Sequence, residues 1–370
     1  MLATVVDDRR IVICAGPGGV GKTTCAAAIA VEGARRGRRT CVVTIDPAKR
    51  LADALGLESL TNDARQVAPG TFAGELWALM LDTKTTFDEV VRRNAGSPEQ
   101  ARTILDNTLY RNISSALGGT QEYMAMEKLY ALHTEGRFDL IVVDTPPTRH
   151  ALDFLDAPHR LLRFLNNRIF RLLMAPTRAS LKAIGMATQV FLRTMSKVVG
   201  GAVVSDAVAF FTAFEGMEQG FRDRAALVSQ LLDDPGTAFV VVAAPRRDAV
   251  VEAVYFADRL RESSGRVEAL VANRMFPSFG PPPETAAGAG TPDSDGAQGR
   301  ALIENLRDFE RVASREEAYV AELAERLPGT PVVRVPFLDT DVHDLQGLDR
   351  VGRWLFGPGE GSGRPEPQDA

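Results

Sequence analysis

Seven short runs of apolar, mostly β-branched residues punctuate the chain, at 11–15, 40–45, 76–81, 140–143, 239–243, 267–272 and 332–335. Each run is continuous rather than alternating, the pattern of strands covered on both faces, as in a parallel sheet. Helical stretches separate the runs, which predicts a doubly wound, mostly parallel α/β sheet. Two long stretches, about 84–135 and 150–236, hold no such run and read as helical. Ser97-Pro98-Glu99-Gln100 predicts a capped helix start with proline at its first position. From Arg160 the polar positions Arg160, Arg163, Asn167 and Arg171 recur three and four apart, with Leu161, Leu165, Ile169 and Leu172 on another face, and Pro176 stops that helix. The predicted organisation is a sheet domain of 8–83, 136–156 and 237–355 carrying an inserted helical subdomain of 84–135 and 157–236. Residues 278–299 read as a flexible loop, since 280–299 holds five glycines and four prolines. Residues 357–370 read as a disordered tail.

Composition narrows this picture. The chain has 370 residues, 45% hydrophobic and 25% charged, values that exclude a disordered, collagen-like or disulfide-scaffold protein. The net charge of −5 hides an asymmetry: 157–205 contains eight Lys and Arg and no Asp or Glu. The three cysteines, Cys14, Cys25 and Cys41, form no CxxC and lie in apolar or Ala-rich stretches, so inert thiols are expected rather than disulfides or a zinc site. The N-terminus lacks the apolar core of a signal peptide. No run reaches the ~18 apolar residues of a membrane span, and the longest candidate, 198–211, is broken by Gly200, Gly201, Ser205 and Asp206. A cytoplasmic protein without a transmembrane segment is the expectation.

The strongest chemical signal is Gly16-Pro17-Gly18-Gly19-Val20-Gly21-Lys22-Thr23, a G-x-x-x-x-G-K-T pattern between the first strand run and an Ala-rich helix. Glycines let backbone N–H groups curl around an anion, and the helix N-terminus adds its dipole. Lys22 is placed to reach β- and γ-phosphates, and Thr23 to offer a hydroxyl to Mg²⁺. Lysine is scarce in this chain (six against 37 Arg), so Lys22 is not a background residue. The run at 140–143 ends in Asp144, a carboxylate suited to holding a Mg²⁺-bound water. The second run leads to Asp46-Pro47, on the rim where doubly wound sheets bind ligands. Asp46 either orients an attacking water or caps the helix that Pro47 begins.

Together these residues resemble the ArsA-type P-loop ATPases, the family of the arsenite-pump ATPase and of the ATPase that targets tail-anchored membrane proteins. Residues 15–24 are similar to its deviant Walker A. Thr44-Ile45-Asp46-Pro47-Ala48-Lys49 resembles its first switch, and Asp144-Thr145-Pro146-Pro147-Thr148-Arg149-His150 its second. Gly119-Thr120-Gln121-Glu122, Ala272-Asn273-Arg274 and Val335-Pro336-Phe337 resemble further motifs in the same order. The likeness spans about 8–355. It implies ATP and Mg²⁺ as ligands, Lys22 and Asp46 as catalytic residues, and Thr23 and, through water, Asp144 at the metal. It implies a nucleotide site of Gly16, Gly18, Gly19, Val20, Gly21, Lys22, Thr23, Thr24, Asn273, Pro336 and Phe337, with Thr24 near the α-phosphate and Asn273 at the base. It also implies a nucleotide-gated dimer whose helical subdomains form a composite hydrophobic surface.

Three departures qualify the resemblance. Where the family has a lysine that reaches the partner's ATP, this chain has Pro17; a cation in such a role is worth ~10³ or more in rate. Weak turnover alone is expected, and pairing with a lysine-containing paralogue, with Arg149 as a substitute cation in the alternative. The CxxC of the zinc-binding members and the metalloid-binding cysteines of the arsenite pumps are absent, so neither zinc, an iron–sulfur cluster nor arsenite stimulation is expected.

The basic window mixes its cations with Phe164, Phe170, Phe191, Met174, Met186 and Met195, followed by Phe210, Phe211, Phe214 and Met217. It reads either as a groove for a hydrophobic client helix or as ordinary amphipathic packing. Nucleic acid is disfavoured for want of interleaved Trp or Tyr. Two other functional classes compete with the ATPase switch: a non-catalytic ATP-binding regulatory subunit, which Pro17 favours, and a partition- or positioning-type ATPase, which the absence of an amphipathic helix in 357–370 disfavours.

Overall fold

The computed structural model describes residues 2–46, 49–111, 120–146, 156–163, 166, 201–262, 265–280 and 295–357. Its centre is an eight-stranded sheet in the order β3-β4-β2-β5-β1-β6-β7-β8. The strands are β1 (Ile11–Ala15), β2 (Arg39–Thr44), β3 (Arg65–Val67), β4 (Glu75–Met80), β5 (Leu140–Asp144), β6 (Thr237–Ala243), β7 (Val267–Met275) and β8 (Val332–Pro336). All neighbours pair in parallel except β3 with β4. All seven apolar runs are strands. β3 was not expected, because Arg-Gln-Val is too short and too polar to show a period; it is an edge strand that needs only one buried face.

Successive side chains of the strands feed two different cores. Val12, Cys14, Val42, Leu140, Val142, Val240 and Val242 pack on one face. Ile11, Ile13, Val43, Ile141, Val143, Phe239 and Val241 pack on the other. That two-residue alternation between two apolar layers is why the runs are continuous rather than alternating.

The first face is covered by the helix Lys22–Arg35, backed by Leu2–Asp8 and Leu345–Phe356. Its Ala26, Ala27, Ala28, Ala30 and Ala34 are all buried. Small residues suit a helix enclosed on every side, and at Gly33 a Cβ would come within 2.7 Å of both Leu140 Cδ2 and Thr40 Oγ1. Leu2–Asp8 was also not foreseen; Leu2, Val5 and Val6 anchor it. The opposite face is covered by Thr120–Glu135, Arg247–Glu262 and the ends of Glu218–Asp233 and Asp295–Arg326. That last helix starts within the stretch read as a loop, so Asp295 to Gly299 are helical.

A third apolar cluster lies away from the sheet. Val90 and Val91 of Thr83–Asn94, Ile104 of Pro98–Leu105, Tyr110, and Phe210, Phe211 and Phe214 of Gly201–Phe214 gather with Met217 and Phe221. Ser97 caps its helix by accepting from the Gln100 N–H, with Pro98 in the first turn, as its sequence signalled. Thr120–Glu135 and Glu218–Asp233 belong to both regions, sending Tyr123 and Phe221 into this cluster and Leu129 and Val228 under the sheet. Among the described residues, no helix is long and apolar enough to cross a membrane.

Candidate nucleotide site at the ends of three central strands

The glycine-rich turn leaves β1, a strand buried along its whole length. Gly16 sits at φ 154°, where a Cβ would meet the Val242 carbonyl oxygen at 1.9 Å, so no other residue fits. Gly21, at φ 88°, is the N-cap of Lys22–Arg35 and brings no side chain to cap it. Its missing Cβ makes room for Asn273, whose Nδ2 would lie 2.2 Å from one. Three carbonyls of the turn are engaged by side chains. Lys22 Nζ donates to Pro17 O at 2.8 Å, Asn273 Nδ2 to Val20 O at 2.8 Å, and an Arg274 N–H to Gly19 O at 3.0 Å. The turn is thereby fixed through its acceptors, which suits a loop that serves a ligand with its donors.

Lys22 is 7% exposed, and its ammonium rests against a neutral carbonyl. Burial lowers its pKa, opposed by Asp144 and Asp46. A buried ammonium in that position gains strongly from any anion placed beside it.

Asp144 ends β5, next to β1 and β2 in the sheet. Its Oδ2 accepts from Thr23 Oγ1 at 2.8 Å and from Thr44 Oγ1 at 2.9 Å. Its Oδ1 is buried and has no hydrogen-bond partner among the described residues. Burial pushes the carboxyl up to about 6, against the pull of the two threonines. An orphaned carboxylate oxygen costs ~1–3 kcal/mol unless a ligand satisfies it.

Thr44 joins this carboxylate to Asp46, since its hydroxyl also accepts from the Asp46 N–H at 3.2 Å. Asp46 is half-buried beyond the end of β2, with Arg50 Nη1 3.6 Å from its Oδ2. Gln121 Nε2 donates to Ile45 O at 3.0 Å, tying Thr120–Glu135 to the same loop. Thr145 Oγ1 donates to Cys14 O at 2.8 Å, holding the β5 exit against β1.

These contacts bring Lys22, Thr23, Asp46 and Asp144 together at the carboxyl ends of three adjacent strands, β2, β5 and β1. Asn273 joins them from β7. Thr24 is half-buried in the first helical turn. Pro336 ends β8 in register with Met275. Phe337 follows, donating its N–H to Met275 O at 2.7 Å with its ring largely exposed. Arg149 and the rest of 147–150 lie outside the described residues.

Comparison with known proteins decides the lineage. A profile described as anion-transporting ATPase, of the ArsA type, matches residues 9–281. The chain belongs to this family. It is 25% identical over 362 residues to ATPase GET3 of Malassezia globosa, covering 96% of this chain and 94% of that one. It is 26% identical over 370 residues to ATPase GET3C of Arabidopsis thaliana, with coverage of 95% and 83%. An Aquifex aeolicus protein provisionally named arsenical pump-driving ATPase 1 is 22% identical over 354 residues, with coverage of 94% and 79%.

Sequence reasoning missed two members of the site. Thr44 opens the stretch that resembles the first switch but was given no role of its own, although a hydroxyl residue two positions before Asp46 was visible. Arg50 was passed over, although an Asp and an Arg four apart across a helix start are a readable pair.

Proposed function

We propose that the chain is a Mg²⁺-dependent ATPase that acts as a nucleotide-gated dimeric switch on a hydrophobic client. The observation that carries the reading is the Thr23–Asp144–Thr44–Asp46 chain beside a buried Lys22. ATP fits the turn: the ammonium of Lys22 leans on the neutral Pro17 O among the described residues, and the β- and γ-phosphates would replace it. Mg²⁺ fits the Asp144 end: it prefers few protein ligands and keeps several waters, and a metal-bound water satisfies the orphaned Oδ1. When bound, Mg²⁺ neutralises charge developing on the β–γ bridge.

In this reading Lys22 binds and orients the γ-phosphate, and Asp46 accepts a proton from the attacking water. Thr44 holds the Asp46 loop in register with Asp144. Asn273, Pro336 and Phe337 form the base side, and Thr24 lies near the α-phosphate. Pro17 puts no charge at the tip of the turn, so a second subunit, a paralogue with lysine at this position, completes the site. The client surface is assigned to 157–205, most of which lies outside the described residues. Phe210, Phe211, Phe214 and Met217 are not part of an open groove, because they are core.

The test is single-turnover hydrolysis by the chain alone and mixed with a lysine-bearing paralogue. Acceleration by the partner supports the switch, and equal, robust turnover without it contradicts the pairing. Pro17 specifically favours one other reading, a non-catalytic ATP-binding subunit; ATP bound but never cleaved in either sample supports that instead.

A further inference from the structure

The tip of the glycine turn carries no cation, because Pro17, Gly18, Gly19 and Val20 precede Gly21. The short helix after β2, Arg50–Ala54, opens with two. Lys49 is its N-cap and Arg50 its first residue, and both are exposed. Cations gain nothing from the dipole at that end of a helix, which favours acids. The helix dipole therefore does not account for Arg50.

Its contacts point to the site instead. The Arg50 side chain is 64% exposed and meets Asp46 through one nitrogen at 3.6 Å. An exposed single-contact pair of this kind is worth ~0.3–0.5 kcal/mol. It is easily exchanged for two charge-assisted bonds to phosphate oxygens, the geometry a guanidinium matches best. The Arg50 charge is also felt at Lys22, whose pKa, lowered first by burial, it lowers further against the pull of Asp144 and Asp46. Arg50 thus stands directly beside the proposed base.

We propose that Arg50 is a catalytic cation supplied by the chain to its own nucleotide, moving from Asp46 to the γ-phosphate when ATP binds. The move does two things. It places positive charge where the transferring phosphoryl group needs it, and it releases Asp46 to take a proton. In the step, the water oxygen bonds to the γ-phosphorus while the bond to the β–γ bridging oxygen breaks. ADP leaves with that electron pair, and the proton of the water passes to Asp46. Arg50 then sets the turnover that the chain retains without a partner, whereas the partner adds its own cation. The inference rests on the ATPase reading above.

The test uses the full chain with Arg50→Ala and Arg50→Lys. Three quantities are measured: single-turnover hydrolysis, affinity for Mg·ATPγS, and affinity for Mg·ADP with aluminium fluoride, which mimics the phosphoryl group in flight. Arg50→Ala is expected to slow hydrolysis at least about tenfold and to weaken aluminium fluoride binding by a similar factor. ATPγS affinity stays within about threefold, because the cation acts mainly on developing charge. Arg50→Lys recovers only part of either loss. The proposal is overturned if Arg50→Ala leaves aluminium fluoride affinity unchanged, or weakens all nucleotides equally. A wild-type chain that binds no nucleotide overturns the ATPase reading itself; a chain that binds nucleotide normally but is indifferent to Arg50→Ala overturns only the role of Arg50.

Discussion

Two of the places where this protein buries charge treat it differently. Where Thr120–Glu135 meets Glu218–Asp233, Glu127 has a side chain only 1% exposed, paired with Arg224 at 2.8 Å. Tyr123 donates its hydroxyl to the other oxygen of Glu127 at 2.6 Å, and the Arg224 guanidinium lies 4.1 Å from the centre of the Tyr130 ring. The carboxylate there is satisfied by neighbours on both oxygens. At the ends of β1, β2 and β5 the accounts stay open: Lys22 leans on a neutral carbonyl, and Asp144 keeps one oxygen without a partner among the described residues. The first arrangement holds two helices together. The second costs stability, and in the proposed function Mg·ATP, carrying both negative charge and a hydrated cation, offsets that cost. Arg224 Nη2 is also buried without a hydrogen-bond partner among the described residues, but its charge is compensated by Glu127; the contrast lies in whether the buried carboxylate has both of its oxygens met.

The comparison breaks most visibly at Lys22. Lys22→Ala is expected to lower single-turnover hydrolysis by about 10²–10³-fold with the fold retained, as read by quenched-flow and circular dichroism. At the junction the order reverses. Arg224→Ala leaves Glu127 charged and unpaired, and should cost ~3–5 kcal/mol in urea unfolding while leaving nucleotide affinity nearly unchanged. Asp144→Asn sharpens the contrast further. A carboxyl whose pKa is raised on folding stabilises the protein only while it holds its proton, so the wild-type penalty grows as pH rises from about 4 to about 6. In EDTA at pH 7.5 the variant should therefore melt a few degrees above wild type, with the gap closing toward pH 4, while stabilisation by Mg·ADP is lost. Smallest is Ser97→Ala, which removes the cap of Pro98–Leu105 and should cost ~1 kcal/mol with hydrolysis untouched.

The open site was far more legible in the sequence than the satisfied one. The glycine turn, Lys22, Thr23, Asp46 and Asp144 announce themselves because phosphate chemistry demands fixed residue types at fixed spacing. The strands were legible for the same kind of reason, since burial on both faces leaves continuous apolar runs. Leu2–Asp8 and β3 escaped because each is short and held by tertiary contacts alone. Glu127 and Arg224 are 97 residues apart, and nothing in local spacing signals that they meet. Thr44 and Arg50 were hidden differently: one opens a recognisable motif and the other directly follows it, but the role of each depends on which atoms the fold brings near Asp144 and Asp46.

The most direct test of the account is equilibrium binding of Mg·ATPγS to the full-length chain and to Lys22→Ala, followed by calorimetry with and without EDTA. The account predicts one nucleotide per chain, with affinity falling at least about tenfold when Lys22 is removed or Mg²⁺ is chelated, a change of ~1.4 kcal/mol or more. Nucleotide binding indifferent to both Lys22 and Mg²⁺, or no binding by the wild-type chain, would contradict it.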